Sequence, residues 1–149
     1  MKRHIGSLRW FQPINLLRYP HLLNDDILVW DSFMRSESSK FYRFTYDVPL
    51  VEESLPNPAH PPYAQKDWDY LTAMKIDAIG EDLDSFQIFE IKQTAGFDAI
   101  GQVLSYGRLL PEFYGIFKPV KLNIVARLIS PQIKLVLKSF NISWYEVLV

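Results

Sequence analysis

The stretch 85–92, SFQIFEIK, sets the terms for the rest of the chain. It is apolar enough for a central strand covered on both faces, apart from polar residues near its end, and such a strand needs helices to cover it. Residues 70–79 precede it across Gly80-Glu-Asp-Leu-Asp84, so the two segments predict a hairpin. Upstream, Leu22, Leu23, Ile27, Trp30, Phe33 and Met34 recur at helical spacing, which predicts a helix over 21–34 with Asn24 or Asp25 as N-cap. Residues 41–48, rich in aromatic and β-branched types, predict a strand. A second helix is expected over 97–110, with Ile100, Leu104, Gly107 and Leu110 along one side and Pro111 closing it. A strand follows over 120–128. Ser130 then caps a helix with Pro131 in its first position and Ile133, Leu137 and Phe140 along it, and 142–149 is a last strand. The order α-β-β-β-α-β-α-β describes an α/β fold, a mixed central sheet flanked by helices.

With 149 residues, 48% of them hydrophobic and 22% charged, a single domain over 1–149 can bury a core, and intrinsic disorder is excluded. There is no Cys, hence no disulfide scaffold, thiolate zinc site or cysteine nucleophile. His4, His21 and His60 form no paired metal-binding spacing, and no glycine-rich phosphate loop is present. No apolar run is long enough to span a bilayer, and the amino terminus lacks the apolar segment of a secretory signal, so a cytoplasmic protein is expected. Residues 52–69 hold Pro56, Pro58, Pro61 and Pro62 and are expected to form a loop in which Tyr63 and Trp68 either pack down or face a ligand. Asn141-Ile-Ser143 is a glycosylation sequon by letter alone, and Glu81-Asp-Leu-Asp84 a solvated hairpin tip.

The net charge of -1 hides a segregation. Residues 1–20 form a basic amino-terminal segment, with Lys2, Arg3, Arg9 and Arg18 and no carboxylate; residues 25–112 hold 16 acids against 7 bases; residues 113–145 carry five bases and no acid. A protein that holds divalent cations and also binds phosphate needs such a split. Lys2, Arg3, Arg9, Lys75 and Arg108 are the candidate nucleic-acid contacts.

Three ionisable residues fall in the hairpin. Glu90 and Lys92 must project to one face, with Ile91 opposite, because side chains alternate along a strand; Asp77 lies across the hairpin. Charged groups inside an apolar run are costly unless paired or metal-bound. On residue types alone a partly buried Glu–Lys ion pair is the favoured reading. The alternative is a site for Mg²⁺ or Mn²⁺ made by Asp77, Glu90 and the Ile91 carbonyl, with Lys92 facing the scissile phosphate. Downstream, Gln102 and Tyr106 share a helix face with Asp98 a turn back, and Gly101 inside the helix suggests a close approach of backbone to sheet or ligand.

Asp77, then Glu90-Ile-Lys92, then Gln102-Val-Leu-Ser-Tyr106 resembles the PD-(D/E)xK nuclease superfamily, in particular its branch with a QxxxY motif on the following helix, as in RecB-type and NucS-type nuclease domains. The resemblance spans roughly residues 21–128 and extends to small bacterial and phage proteins of that superfamily. It implies a restriction-endonuclease-like αβββαβ core, here extended by a C-terminal αβ unit. It further implies that Asp77 and Glu90 are metal ligands, that Lys92 is the catalytic lysine, and that Gln102 and Tyr106 orient substrate or the lysine. The proline usual before the first aspartate is replaced by Ile76, and an acid from the first helix (Asp25, Asp26 or Asp31) is often added. The function so implied is a metal-dependent deoxyribonuclease acting in a bacterial or phage-infected cell, with a second copy or a protein partner to help grip DNA. The alternative is a nuclease-fold module that binds nucleic acid or a protein, with little turnover.

Overall fold

The structure, a computed structural model, describes residues 2–51 and 74–149. Its elements are β1 (Arg3–His4), β2 (Trp10–Phe11), α1 (Asn24–Glu37), β3 (Arg43–Leu50), β4 (Met74–Glu81), β5 (Phe86–Ala95), α2 (Phe97–Phe113), β6 (Tyr114–Gly115), β7 (Val120–Ile129), α3 (Pro131–Ser139) and β8 (Ser143–Glu146). Six strands form a mixed sheet in the order β2-β3-β4-β5-β7-β8. Strands β2 to β5 pair antiparallel, whereas β5, β7 and β8 run parallel through the crossover helices α2 and α3. The α/β class and the αβββαβ core with an added αβ unit are as expected. Residues 52–69, with their prolines, His60, Tyr63 and Trp68, and the start of the first hairpin arm lie outside the described residues.

Two cores sandwich the sheet. Helix α1 lays Trp30 and Phe33 on Phe44, Phe89 and Val125, while α2 and α3 cover Ile88, Ile124 and Ala126 on the other face. Gly107 sets how closely α2 approaches, because a Cβ there would stand 2.7 Å from Leu122. Buried Trp30 donates its indole N–H to the Tyr46 hydroxyl at 3.1 Å. Tyr46→Phe is expected to strand that donor and lower stability by about 1–3 kcal/mol, read by urea denaturation.

The β3–β4 ribbon exchanges faces partway along. Phe44, Tyr46 and Ala78 belong to the α1 side, yet Val48, Leu50 and Ile76 belong to the other, although parity alone would keep each set together. The exchange falls at Asp47, which takes a left-handed φ of 54° and lies between the pairs Tyr46↔Ala78 and Val48↔Ile76, hence opposite Asp77. Aspartate tolerates that conformation better than most residues.

Several boundaries differ from the sequence expectations. Helix α1 starts at Asn24 behind Leu23, which makes no side-chain cap bond, so neither Asn24 nor Asp25 is the N-cap. Pro111 does not close α2, which continues to Phe113: a proline in the last turn removes only one helical donor. Ser130 and Pro131 start α3 as expected, with the Ser130 hydroxyl accepting from the Ile133 N–H, but Phe140 lies past its end and is exposed. Strand β8 stops at Glu146. Gly101 marks no close approach within the fold, since a Cβ there would meet nothing within 4 Å.

Candidate active site

The sheet parts where the acids gather. The β4–β5 ladder ends at Ala78↔Phe89, so Asp77 and Glu90 lie one step beyond the last pair. The main-chain N–H of Ile91 donates to Asp77 Oδ2 at 2.9 Å, which ties the two diverging strands together. Strand parity holds on β5: Lys92 Nζ lies 3.6 Å from Glu90 Oε1, while the Ile91 side chain is buried in the opposite core. A second tether reaches Lys92 from the start of α2, where Asp98 Oδ2 is 3.3 Å away.

Burial and like charge dominate the electrostatics. Glu90 is raised to about 8 by desolvation and then by the Asp77 charge, against the pull of Lys92. Asp77 is raised to about 6, again by burial first, with Asp26 and Asp47 adding to it and the Ile91 N–H and Lys92 opposing. Burial works to lower Lys92, but Glu90, Asp98 and Asp77 together outweigh it and hold the ammonium above its ordinary value. The pocket thus carries two carboxylates that one ammonium does not neutralise. Glu90 Oε2 is buried without a hydrogen-bond partner. A hard divalent cation answers both conditions, and Asp77, Glu90 and the Ile91 carbonyl are the atoms that could hold it. Among the described residues no three Asp, Glu, His or Cys side chains form a ready ligand set, so water would complete the coordination.

On α2, Tyr106 and Gln102 face this pocket. Burial and then the charges of Glu90 and Asp77 raise the Tyr106 hydroxyl well above its ordinary value, against the Gln102 amide, so the phenol keeps its proton. Gln102 Oε1 is buried and unpartnered.

Structure ranks the acids of the first helix. Asp26 alone of the three turns toward the pocket: burial raises it, against Gln93 and Lys92. Asp31 instead accepts from the Tyr19 hydroxyl at 2.7 Å and from Asn15. Sequence reasoning missed Gln93, whose side-chain amide reaches the Asp26 carboxyl, because parity assigns it to the face opposite Lys92. It also missed Asp47, which sits 3.0 Å from His21 Nε2 and adds its charge to Asp77; His21 too is left-handed, with φ 58°. No local signal marks either residue. The basic candidates do not converge: the Arg3 side chain bonds Tyr114, Arg9 stacks over Phe11 at 4.8 Å, Lys2 and Arg108 are exposed, and Lys75 lies on β4 beside Pro49.

The core defined by these elements is a restriction-endonuclease-like fold. Among solved structures, the chain is similar to a repair endonuclease from Pyrococcus abyssi, with a TM-score of 0.51 and 18% identity over 89% of this chain and 50% of that one. An EndoMS in complex with dsDNA gives a TM-score of 0.48 at 19% identity, covering 90% of this chain and 50% of that one. The chain thus spans about half the length of the proteins it matches. No family model and no curated protein matches it. No helix among the described residues is long and apolar enough to cross a membrane.

Proposed function

We propose that the chain is a metal-dependent nuclease of PD-(D/E)xK type, in the branch with a QxxxY motif, hydrolysing phosphodiester bonds of DNA. The observation that carries this reading is the convergence of Asp77, Glu90 and Lys92 at the parting of β4 and β5, with Glu90 Oε2 left without a partner. The fold shared with a repair endonuclease supports it at the level of architecture.

Asp77, Glu90 and the Ile91 carbonyl would hold Mg²⁺ or Mn²⁺, and Asp26 would supply a further carboxylate from α1. When bound, the cation polarises the phosphoryl group and lowers the pKa of coordinated water. Lys92 stays protonated between Glu90 and Asp98, so its ammonium is placed to offset the negative charge that grows on the phosphoryl oxygens. Tyr106 and Gln102 orient Lys92 and the substrate from below, and Lys2, Arg3, Arg9, Lys75 and Arg108 add phosphate contacts. The setting is the cytoplasm of a bacterial or phage-infected cell, with a second copy or a partner protein extending the grip on DNA.

Incubation with linear, nicked and single-stranded DNA in Mn²⁺, Mg²⁺ or EDTA tests this. The expected outcome is cleavage with either metal and none in EDTA. Binding without cleavage of every substrate would support a non-catalytic nuclease-fold module instead.

A further inference from the structure

Lys92 is held from two sides. Glu90, two residues back on the same strand face, places Oε1 at 3.6 Å from the ammonium; Asp98, in the first turn of α2, places Oδ2 at 3.3 Å. The two partners differ in what else acts on them. Glu90 is buried and feels the Asp77 charge, so it is a candidate metal ligand. The Asp98 side chain is 69% exposed, and Lys92 is the first influence on its carboxyl, ahead of the main-chain N–H of Ala99.

That difference matters when a divalent cation is bound. A carboxylate engaged by a cation shares its charge, so Glu90 then attracts Lys92 less, and the cation itself repels the neighbouring ammonium. Lysine carries its charge on a flexible four-carbon stem, free to turn to solvent once its partner weakens. Asp98 opposes that turn. It stands at the start of α2, where unpaired N–H groups favour an anion, and Gly96 leaves its carboxylate room: a Cβ there would stand 3.1 Å from Asp98 Oδ1. Asp98, Gln102 and Tyr106 recur at four-residue steps, so the face of α2 that carries Gln102 and Tyr106 carries Asp98 as well. An exposed acid on a rim that takes phosphate works against binding, so attraction for DNA does not account for it.

We propose that Asp98 is a positioning residue for the nuclease reaction, the anchor that keeps the Lys92 ammonium turned toward the scissile phosphate once the cation has engaged Glu90. Asp98 touches neither the cation nor the reacting atoms; it acts through Lys92. This rests on the nuclease reading and deepens it.

The test compares the full native chain with Asp98→Asn and Asp98→Glu. Steady-state cleavage in Mg²⁺ is read beside affinity for the same DNA in Ca²⁺ and the rise in melting temperature that Mn²⁺ produces. Asp98→Asn is expected to lower kcat roughly tenfold, within the hundredfold that a displacement of about 1 Å can cost. KM and the Ca²⁺ affinity stay level or improve, the Mn²⁺ rise is unchanged, and Asp98→Glu, which keeps the charge, restores most of kcat. A surface acid with no positioning role gives the opposite sign, because its removal tightens DNA and leaves kcat native or higher. That result overturns the proposal, as does a lost Mn²⁺ rise, which would make Asp98 a metal ligand instead. A readout independent of turnover is the ¹⁵N NMR signal of the Lys92 ammonium in the Mg²⁺-loaded protein, assigned with Lys92→Arg. It is expected to stand apart in the native chain and in Asp98→Glu, and to move to the position of solvated lysines in Asp98→Asn; one position in all three overturns the proposal. Native protein that cuts no DNA while this signal still depends on Asp98 overturns the nuclease reading, and the catalytic role of Asp98 with it. Native cleavage that Asp98→Asn leaves unchanged removes the positioning role alone.

Discussion

Lys92→Ala and Asp77→Asn are each expected to reduce metal-dependent cleavage about a hundred- to a thousandfold, the range found when one charge-stabilising group is withdrawn from a preorganised site, while circular dichroism and cooperative unfolding remain native. The two substitutions act differently. Lys92→Ala removes the ammonium that faces Glu90 and Asp98. Metal binding persists in it, so Mn²⁺ still raises its melting temperature, because a ligand that binds only the folded form stabilises that form. Asp77→Asn keeps the size of the side chain, and its amide oxygen still accepts the Ile91 N–H, but the anionic ligand is gone. Its melting temperature is therefore expected to respond little to millimolar Mn²⁺. Asp77→Asn should not unfold, since it removes a charge from a cluster that burial already disfavours, whereas Lys92→Ala takes away the counter-charge of Glu90 and Asp77 and is expected to fold but to melt lower without metal. Full cleavage by Lys92→Ala, or an undiminished Mn²⁺ shift in Asp77→Asn, would overturn the assigned roles.

The second large effect is on stability against pH. Glu90 titrates near 4.5 when unfolded and near 8 in the fold, and Asp77 moves from 3.8 to about 6. Both are acids whose folded values are raised, so between those limits the native state binds more protons than the unfolded one. Stability is therefore fully present at about pH 4 and is lost as pH rises through 6 and on toward 8. The metal-free protein is expected to lose on the order of several kcal/mol across this window. Glu90→Gln, which is neutral throughout, should flatten most of that slope and melt above the native protein at pH 8. Mn²⁺ should restore the native protein at pH 8 far more than at pH 5, where protons compete for the same oxygens. A metal-free melting temperature that rises from pH 5 to pH 8 would contradict the burial of this pair.

Much of this arrangement was legible in the residue order because it depends on local rules. Parity alone put Glu90 and Lys92 together and turned Ile91 away, and Ser130-Pro131 announced the start of α3. Features set by distant pairing were not legible. Strands β1, β2 and β6 are two residues each and exist only because of partners elsewhere in the chain. The choice of Asp26 over Asp25 and Asp31 depends on how α1 crosses the sheet, and the left-handed turn at Asp47 on a face exchange that no spacing encodes. Gly101 and Gly107 show the same limit: both are glycines within one helix, but only Gly107 meets the sheet.

The amino-terminal stretch has a role that its two-residue strands understate. Trp10 and Phe11 occupy the outer margin of β3, Thr45 donates to the Arg9 carbonyl at 2.8 Å, and Ile5 is fully buried. A shortened chain lacking this stretch would uncover β3 at Phe44 and Thr45, the two residues that β2 pairs, and leave a border with unpaired backbone groups, a template for self-association. Those first residues therefore act as a selvedge, keeping the sheet from growing into its neighbours.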